Sequence, residues 1–359
     1  MVILPPYWSR MRLWIGFCGI GIGCDGRRPG GRLAVAALVT ALAACGPATA
    51  EEAAVLPHVQ RIIGKPERVE FNIEALVAAG ELGPLIDPIV SSLKFAEGAA
   101  WSPDGYLVVS DIPADTLYRW EPVSGLATFR QPSRNANGNL FLADGTLLTC
   151  EHDTRRISAT SPDGEYRVLV DNYRGRRFNS PNDLCLDSNG ALWFTDPDYG
   201  LRGREREIDG NFVYRYEMDS GRLDVVARDF ERPNGIGFSP DGRLLYIADS
   251  GAPRHVRVFE VVDGRELTNG RVFATIDAGV PDGLCTDTRG NLYVATGEGV
   301  RIFRPNGELL IRIRLPKAGS NVCFGGVDGN TLFITARNMV YQLSMPPVMT
   351  GEREPDAES

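Results

Sequence analysis

Signatures of several common protein classes are absent from this chain of 359 residues. Its seven cysteines include no CxxC pair and no Cys/His spacing of the kind that holds structural zinc. No GxSxG sequence marks the elbow that presents a catalytic serine in many hydrolases. Only three histidines are present, and the formal net charge of −8 disfavours nucleic acid as a partner. The chemistry of this chain must therefore rest on other residue types.

Apolar runs long enough to span a bilayer comfortably are also missing. The run LAVAALVTALAAC follows three arginines between positions 27 and 32 and ends at Cys45. It predicts an export signal over residues 1–50 rather than a membrane span. The LAAC ending followed by Gly46 is similar to a bacterial lipobox, which predicts lipidation of Cys45 and a periplasmic protein that touches the membrane only through this anchor. A small-residue cleavage site at 48–50, with Cys45 incidental, is the alternative.

One short pattern recurs six times in the chain. Each copy starts with a carboxylate or carboxamide residue, continues through mostly apolar residues, and reaches a turn glycine eight positions later. Successive copies begin 39 to 52 residues apart, a spacing typical of propeller blades of four strands. The sequence therefore predicts an all-β fold, a six-bladed β-propeller. The copies are EGAAWSPDG from Glu97, NGNLFLADG from Asn137, NDLCLDSNG from Asn182, NGIGFSPDG from Asn234, DGLCTDTRG from Asp282 and NVCFGGVDG from Asn321.

The first residues of the six copies, which we call the channel ring, predict a central metal site. If each begins the innermost strand of its blade, symmetry brings the six side chains to one end of the channel. Two carboxylates and four carboxamides offer oxygen atoms that suit a hard cation such as Ca²⁺, with Zn²⁺, Mn²⁺ or Mg²⁺ as other possibilities. Turn capping is the alternative explanation. A cap would tolerate Ser, Thr or Gly in some copies, and none has one.

The boundaries of the propeller follow from the repeats. We predict the propeller over residues 85–345, an N-terminal linker or cap over 51–84, and a disordered acidic tail over 346–359. The last copy supplies only three strands before the tail. The segment IVSSL just before Glu97 is the predicted fourth strand, so the two ends of the propeller would share one blade and leave no long exposed edge.

The stretches around the repeats resemble a known family. EGAAW, RRFNSPNDL followed by WFTDPDYGL, RPNGIGFSPDG and VPDGLCTD are similar to the senescence marker protein (regucalcin), gluconolactonase and lactonase-like family, and to the bacterial gluconolactonases in particular. The resemblance implies a calcium-dependent six-bladed propeller that hydrolyses lactones. It implies metal ligation by Glu97, Asn234 and Asp282, with Asn182 binding directly or through water, and it leaves Asn137 and Asn321 as channel-lining residues.

The expected reaction is the opening of a sugar lactone. The ion would polarise the carbonyl group and activate water, and a base must then take a proton from that water. The resemblance implies Asp282, a carboxylate beside the ion, as the first candidate for this base. His152 is the second candidate, because a histidine titrates near neutral pH and this one follows the strand after Asn137. Ser180 stands where animal members of the family have an arginine, so substrate contacts are not carried over.

Two other functions remain open from the sequence. Metal propellers of this type can also cleave aryl esters or organophosphates. A non-enzymatic exported propeller could instead hold a ligand in its channel, since the fold serves many roles. Oxygen atoms that converge on one axis favour the enzyme, because a scaffold has no need of them. The sequence makes no prediction of oligomeric state.

Overall fold

Residues 87–345 are described by a computed structural model, and they form a six-bladed, all-β propeller, which confirms the predicted fold class. Each blade is a four-stranded antiparallel sheet. The predicted export signal at 1–50, the linker or cap at 51–84 and the tail at 346–359 lie outside the described residues. Within residues 87–345, no helix is long and apolar enough to cross a membrane.

The strands follow the repeats along the chain. Strand β1 (Asp87–Val90) precedes the first complete blade. Blade 1 contains β2 (Ala96–Trp101), β3 (Leu107–Asp111), β4 (Thr116–Glu121) and β5 (Gly125–Arg130); blade 2 contains β6 (Ala136–Phe141), β7 (Leu147–Glu151), β8 (Arg156–Thr160) and β9 (Tyr166–Val170). A short hairpin, β10 (Asn172–Tyr173) and β11 (Arg176–Arg177), leads to blade 3, which contains β12 (Leu184–Leu186), β13 (Leu192–Asp196), β14 (Asn211–Tyr216) and β15 (Leu223–Phe230).

The second half of the propeller repeats the same order. Blade 4 contains β16 (Pro233–Phe238), β17 (Leu244–Asp249), β18 (His255–Val262) and β19 (Glu266–Thr275). Blade 5 contains β20 (Leu284–Thr286), β21 (Leu292–Thr296), β22 (Gly299–Phe303) and β23 (Leu309–Arg314). Blade 6 contains β24 (Asn321–Gly325), β25 (Thr331–Ala336) and β26 (Met339–Ser344). Two short 3₁₀ turns, Ile112–Ala114 and Tyr199–Leu201, lie between strands of blades 1 and 3.

The ring of blades closes as the sequence predicts, but the closing strand, Asp87–Val90, begins two residues before the predicted segment IVSSL and ends within it. The innermost strands contact one another in the circular order β2, β6, β12, β16, β20, β24 and back to β2. Strand β1 supplies the fourth strand of blade 6 by pairing with β26, with Asp87 opposite Gln342. The stacked rings of Trp101 and Phe333, 5.1 Å apart, pack blade 1 against blade 6. The two ends of the propeller are therefore joined in one sheet.

The six turn glycines adopt the backbone conformation that explains their fixed spacing. Each has a positive φ, between 69° and 86°, and its N–H donates to the carbonyl oxygen three residues earlier. A residue with a Cβ would be strained in this left-handed region, so glycine is favoured. Because each turn joins an innermost strand to the second strand of its blade, the spacing fixes where that innermost strand begins. The glycines are Gly105, Gly145, Gly190, Gly242, Gly290 and Gly329.

Candidate active site at the channel mouth

The channel-ring residues lie where the innermost strands begin. Glu97, Asn137 and Asn234 are the second residues of β2, β6 and β16, and Asn321 is the first residue of β24. The other two, Asn182 and Asp282, precede β12 and β20 by two residues. Five of the six are buried, with 4 to 7% of their surface exposed, and Asp282 is half-buried. All six therefore lie at one end of the inner strands, which we call the channel mouth.

Glycines next to the ring let neighbouring blades approach closely. The ring residue is followed by glycine in four blades, at Gly98, Gly138, Gly235 and Gly283. A Cβ on Gly138 would lie 2.5 Å from the Asn182 carbonyl oxygen, and one on Gly235 would lie 2.3 Å from the Asp282 carbonyl oxygen. Their N–H groups donate to those same oxygens, at 2.8 and 3.2 Å. These hydrogen bonds join adjacent blades directly behind the ring.

Three buried carboxylates, which we call the clamp carboxylates, hold the segments that lead into the ring. Each is the last residue of the second strand in its blade, and each accepts hydrogen bonds from the two backbone N–H groups three and two residues before a ring residue. The six distances are 2.7 to 3.1 Å. The pairs are Asp111 before Glu97, Asp196 before Asn182, and Asp249 before Asn234. Asp196 thus has a structural role, since it holds the backbone of Asn179 and Ser180.

The carboxylates of the channel mouth repel one another. Burial raises the pKa of Glu97 well above its usual value, and the nearby Asp282 and Asp183 carboxylates raise it further. Burial, followed by the charge of Asp183, also raises the pKa of Asp282. Arg337, which directly follows β25, lowers the pKa of both groups. A bound cation would offset both the repulsion and the cost of burying the charges, because it favours the ionised form of each carboxylate.

Asp183 is a member of this group that the sequence analysis missed. Burial raises its pKa to about 7. Its Oδ1 accepts the Leu184 N–H at 3.0 Å, and its carboxylate also interacts with the Ile236 N–H and the Asn321 side chain. It therefore faces blades 4 and 6 from blade 3. The signal was present in the sequence, since Asp183 occupies the position that is glycine in four other copies.

His152 contacts the ring at Asn137, where its Nε2 lies 3.2 Å from the amide Nδ2. Because the amide nitrogen can only donate, Nε2 accepts and the imidazole is neutral. Burial, followed by the charges of Arg202 and Arg204, lowers the pKa of His152 to about 3. The histidine thus reaches the channel mouth as expected, but it does not titrate near neutral pH. Its catalytic role stays a prediction.

Tyr199 is a second residue at the mouth that the sequence analysis did not select. Its phenol interacts with the side chains of Ser250 and Asn234 and lies near the charge of Asp282. The guanidinium carbon of Arg232 lies 5.2 Å from the centre of its ring. About two fifths of the residue, 39%, is exposed. Tyr199 stands in the segment between β13 and β14, which is not part of the repeated pattern.

Acidic side chains alone do not build a metal centre here. Among residues 87–345, no three His, Cys, Asp or Glu side chains converge closely enough to hold a metal ion by themselves. The carboxylates of Glu97, Asp183 and Asp282 nevertheless influence one another, because buried charges interact over longer distances than ligands of one ion. Any ion at the mouth would need carboxamide oxygens as further ligands, and the predicted metal site remains a prediction.

The fold and these side chains define a six-bladed β-propeller with a channel mouth lined by carboxylates and carboxamides. Residues 95–338 match the family described as the SMP-30/Gluconolactonase/LRE-like region. The chain belongs to this family, as its motifs indicate.

Individual relatives agree with this assignment. A gluconolactonase from Zymomonas mobilis is 35% identical over 312 residues, which cover 78% of this chain and 86% of that protein. A regucalcin from Danio rerio is 36% identical over 267 residues, 68% of this chain and 83% of that protein. The solved structure of a gluconolactonase from Xanthomonas campestris has a TM-score of 0.70 and 34% identity, and covers 75% of this chain and 92% of that one. These similarities support a lactone-hydrolysing enzyme.

Proposed function

We propose that this protein is a calcium-dependent hydrolase that opens sugar lactones at the channel mouth. The observation that carries the proposal is the grouping of buried Glu97, Asp183 and half-buried Asp282, whose charges oppose one another beside carboxamide side chains. Similarity to gluconolactonases over most of the chain supports the substrate class. A non-enzymatic ligand-binding propeller has no comparable need for three costly charges on one axis.

The available donors fit a hard divalent cation. We propose that Glu97, Asn182, Asn234 and Asp282 are its ligands. Asn234 donates through Nδ2 to the Ser250 hydroxyl at 3.0 Å, which leaves its carbonyl oxygen available to an ion. Calcium suits this set because it accepts carboxylate and carbonyl oxygens in an irregular shell, whereas zinc and copper favour nitrogen or sulfur.

The side chains can divide the work of ester hydrolysis between them. When bound, the ion would supply Lewis acidity that polarises a carbonyl group and favours ionisation of water. The Asp282 carboxylate would receive the proton of the attacking water, and the ring C–O bond would break as the released alkoxide gains a proton. Asn137 and Asn321 line the mouth and could hydrogen bond to the substrate. His152, with a neutral ring that accepts from Asn137, would orient that amide.

The function is tested by proton release from a panel of lactones. The metal-stripped protein should be inactive on sugar lactones, and activity should return with calcium or with one other divalent ion. The panel should include an aryl ester and an organophosphate, since preferential cleavage of either would replace the lactone as the substrate. Absence of hydrolysis with every ion and every substrate would contradict an enzymatic function.

Thermal unfolding gives a readout of the metal that does not depend on activity. A carboxyl group whose pKa is raised by folding binds its proton more tightly in the folded state. Protein stability therefore falls as pH rises from the unfolded-state pKa to the folded-state pKa. For Asp183 this range runs from 3.8 to about 7. Calcium must compete with those protons. We therefore expect calcium to raise Tm more at pH 8 than at pH 5.5. An equal rise in Tm at both pH values would argue against calcium binding at the carboxylates of the channel mouth.

We also propose that the mature protein is a lipoprotein in the periplasm, anchored through Cys45. The support is the LAAC sequence followed by Gly46, which lies outside the described residues. The wild-type protein should fractionate with membranes, and Cys45→Ala should move it to the soluble fraction. A wild-type protein that is freely soluble and begins at Glu51 would show that an ordinary signal peptide is removed instead.

A further inference from the structure

The 3₁₀ turn Tyr199–Leu201 is held firmly above the channel mouth. The Ser180 hydroxyl donates to the Pro197 carbonyl oxygen at 2.6 Å and accepts the Gly200 N–H at 2.8 Å. A Cβ on Gly200 would lie 2.6 Å from the His152 ring, so the turn packs directly on that histidine. Because Ser180 is fully buried, its hydroxyl acts as an internal link between the start of blade 3 and the turn. These contacts therefore fix the backbone position of Tyr199.

Two contacts then orient the Tyr199 side chain. Arg232 covers one face of its ring, and Arg232 is itself paired with Asp198 at 3.5 Å. The hydroxyl end reaches Ser250 and Asn234. A half-exposed tyrosine is thus directed toward a proposed metal ligand and the proposed base.

Hydrogen-bonding capacity decides what the phenol can offer to a ligand. The Ser250 hydroxyl donates its proton to the Pro281 carbonyl oxygen, and its oxygen accepts from Asn234 Nδ2. Ser250 can therefore only accept a further hydrogen bond, so the Tyr199 proton is directed to it. The phenol oxygen can also accept hydrogen bonds, and the Asn234 side chain lies within its reach. A donor group of a ligand in the mouth would use the acceptor capacity that remains. A lactone group has only acceptor oxygens, whereas a sugar hydroxyl can donate.

We propose that Tyr199 is a substrate-binding residue that accepts a hydrogen bond from a hydroxyl group close to the lactone carbonyl, and that Ser180 is the positioning residue that holds it there. The inference rests on the proposed lactonase function and narrows it. It assigns the preference for hydroxylated over unsubstituted lactones to the turn Tyr199–Leu201. The channel ring is left to act on the carbonyl group that all lactones share.

The test compares Tyr199→Phe with the wild-type protein on glucono-1,5-lactone and on δ-valerolactone, which has no hydroxyl groups. Loss of one hydrogen bond to an uncharged group should raise KM for the sugar lactone about three- to tenfold. The rise in KM should be clearly smaller for δ-valerolactone, because that substrate has no hydroxyl group to donate to Tyr199; if δ-valerolactone is not turned over, its inhibition constant serves instead. Tyr118→Phe, which removes the hydroxyl of a half-buried tyrosine on β4, is the matched control.

A double-mutant cycle separates positioning from general damage. Ser180→Ala should raise KM for the sugar lactone in the wild-type background and have little further effect once Tyr199 is phenylalanine. If Tyr199→Phe changes KM equally for both lactones, or changes neither, the inference is overturned. The proposed function still stands in that case, provided that the wild-type protein hydrolyses the sugar lactone. Additive effects of the two substitutions would refute the role of Ser180. A wild-type protein that hydrolyses neither lactone would overturn the inference, and absence of hydrolysis across the whole panel would overturn the function as well.

Discussion

Asp282→Asn should lower kcat on a sugar lactone by about 100-fold or more, and excess calcium should not restore it. The substitution keeps an oxygen that can bind an ion, but it removes both a negative charge and the proposed base. Calcium affinity should therefore fall together with kcat. Calorimetric titration of calcium and steady-state kinetics at saturating calcium separate the two effects.

The same substitution should make the metal-free protein more stable to heat, although it impairs calcium binding and catalysis. Asp282 is a carboxylate whose ionised form is disfavoured by burial and by Asp183, and its charge in turn disfavours the ionised form of Glu97. Without calcium, the variant should unfold at a higher temperature than the wild-type protein at pH 8. Asp263→Asn makes the same chemical change at an exposed turn between β18 and β19 and should alter neither property. Full activity of Asp282→Asn at saturating calcium would contradict its role as base.

Asp249→Ala should lower the free energy of unfolding by about 2–4 kcal/mol, because several backbone N–H groups lose their acceptor. This clamp carboxylate accepts from Glu231 at 3.0 Å and from Arg232 and Gly251, both at 2.9 Å. The first two N–H groups lead into Asn234, so calcium affinity should fall as well. Denaturant unfolding and calcium titration measure the two losses.

Two variants set the scale for this loss. Asp249→Asn keeps one acceptor oxygen and should lower the free energy of unfolding less than Asp249→Ala does. Thr296→Ala changes the last residue of β21, the equivalent position in blade 5, where the side chain makes only a 3.4 Å contact with the Gly299 carbonyl oxygen. Thr296→Ala should lower the free energy of unfolding the least of the three. An Asp249→Ala protein as stable as the wild type would show that these N–H groups find other partners.

The features that sequence analysis predicted are those that repeat. A glycine eight residues after each ring residue requires the same turn and the same innermost strand in every blade, so the number of blades and the ring follow from spacing alone. The fourth strand of blade 6 followed from a count of strands. The clamp carboxylates could also have been predicted, since Asp111, Asp196 and Asp249 each lie 14 or 15 residues after a ring residue.

The features that sequence analysis missed depend on a single blade or on contacts between blades. Asp183 breaks the repeat at a glycine position, and its importance comes from the other blades that it faces. Tyr199 reaches the mouth from the segment between β13 and β14, which is not part of the repeated pattern. The position of His152 was predicted, but its low pKa was not, because burial and the charges of Arg202 and Arg204 arise only when blades 2 and 3 pack together.

The pairing of β1 with β26 also bears on how the protein folds. Asp87 lies opposite Gln342, so nearly the whole propeller separates two strands that must meet in one sheet. Contacts between residues so distant in sequence are slow to form, because the intervening chain must first be ordered. Blades 1 to 5 can each form from local hairpins during synthesis, but blade 6 can be completed only after the last strand is made. Until then β1 lacks its partner, and its unpaired edge can pair with other chains.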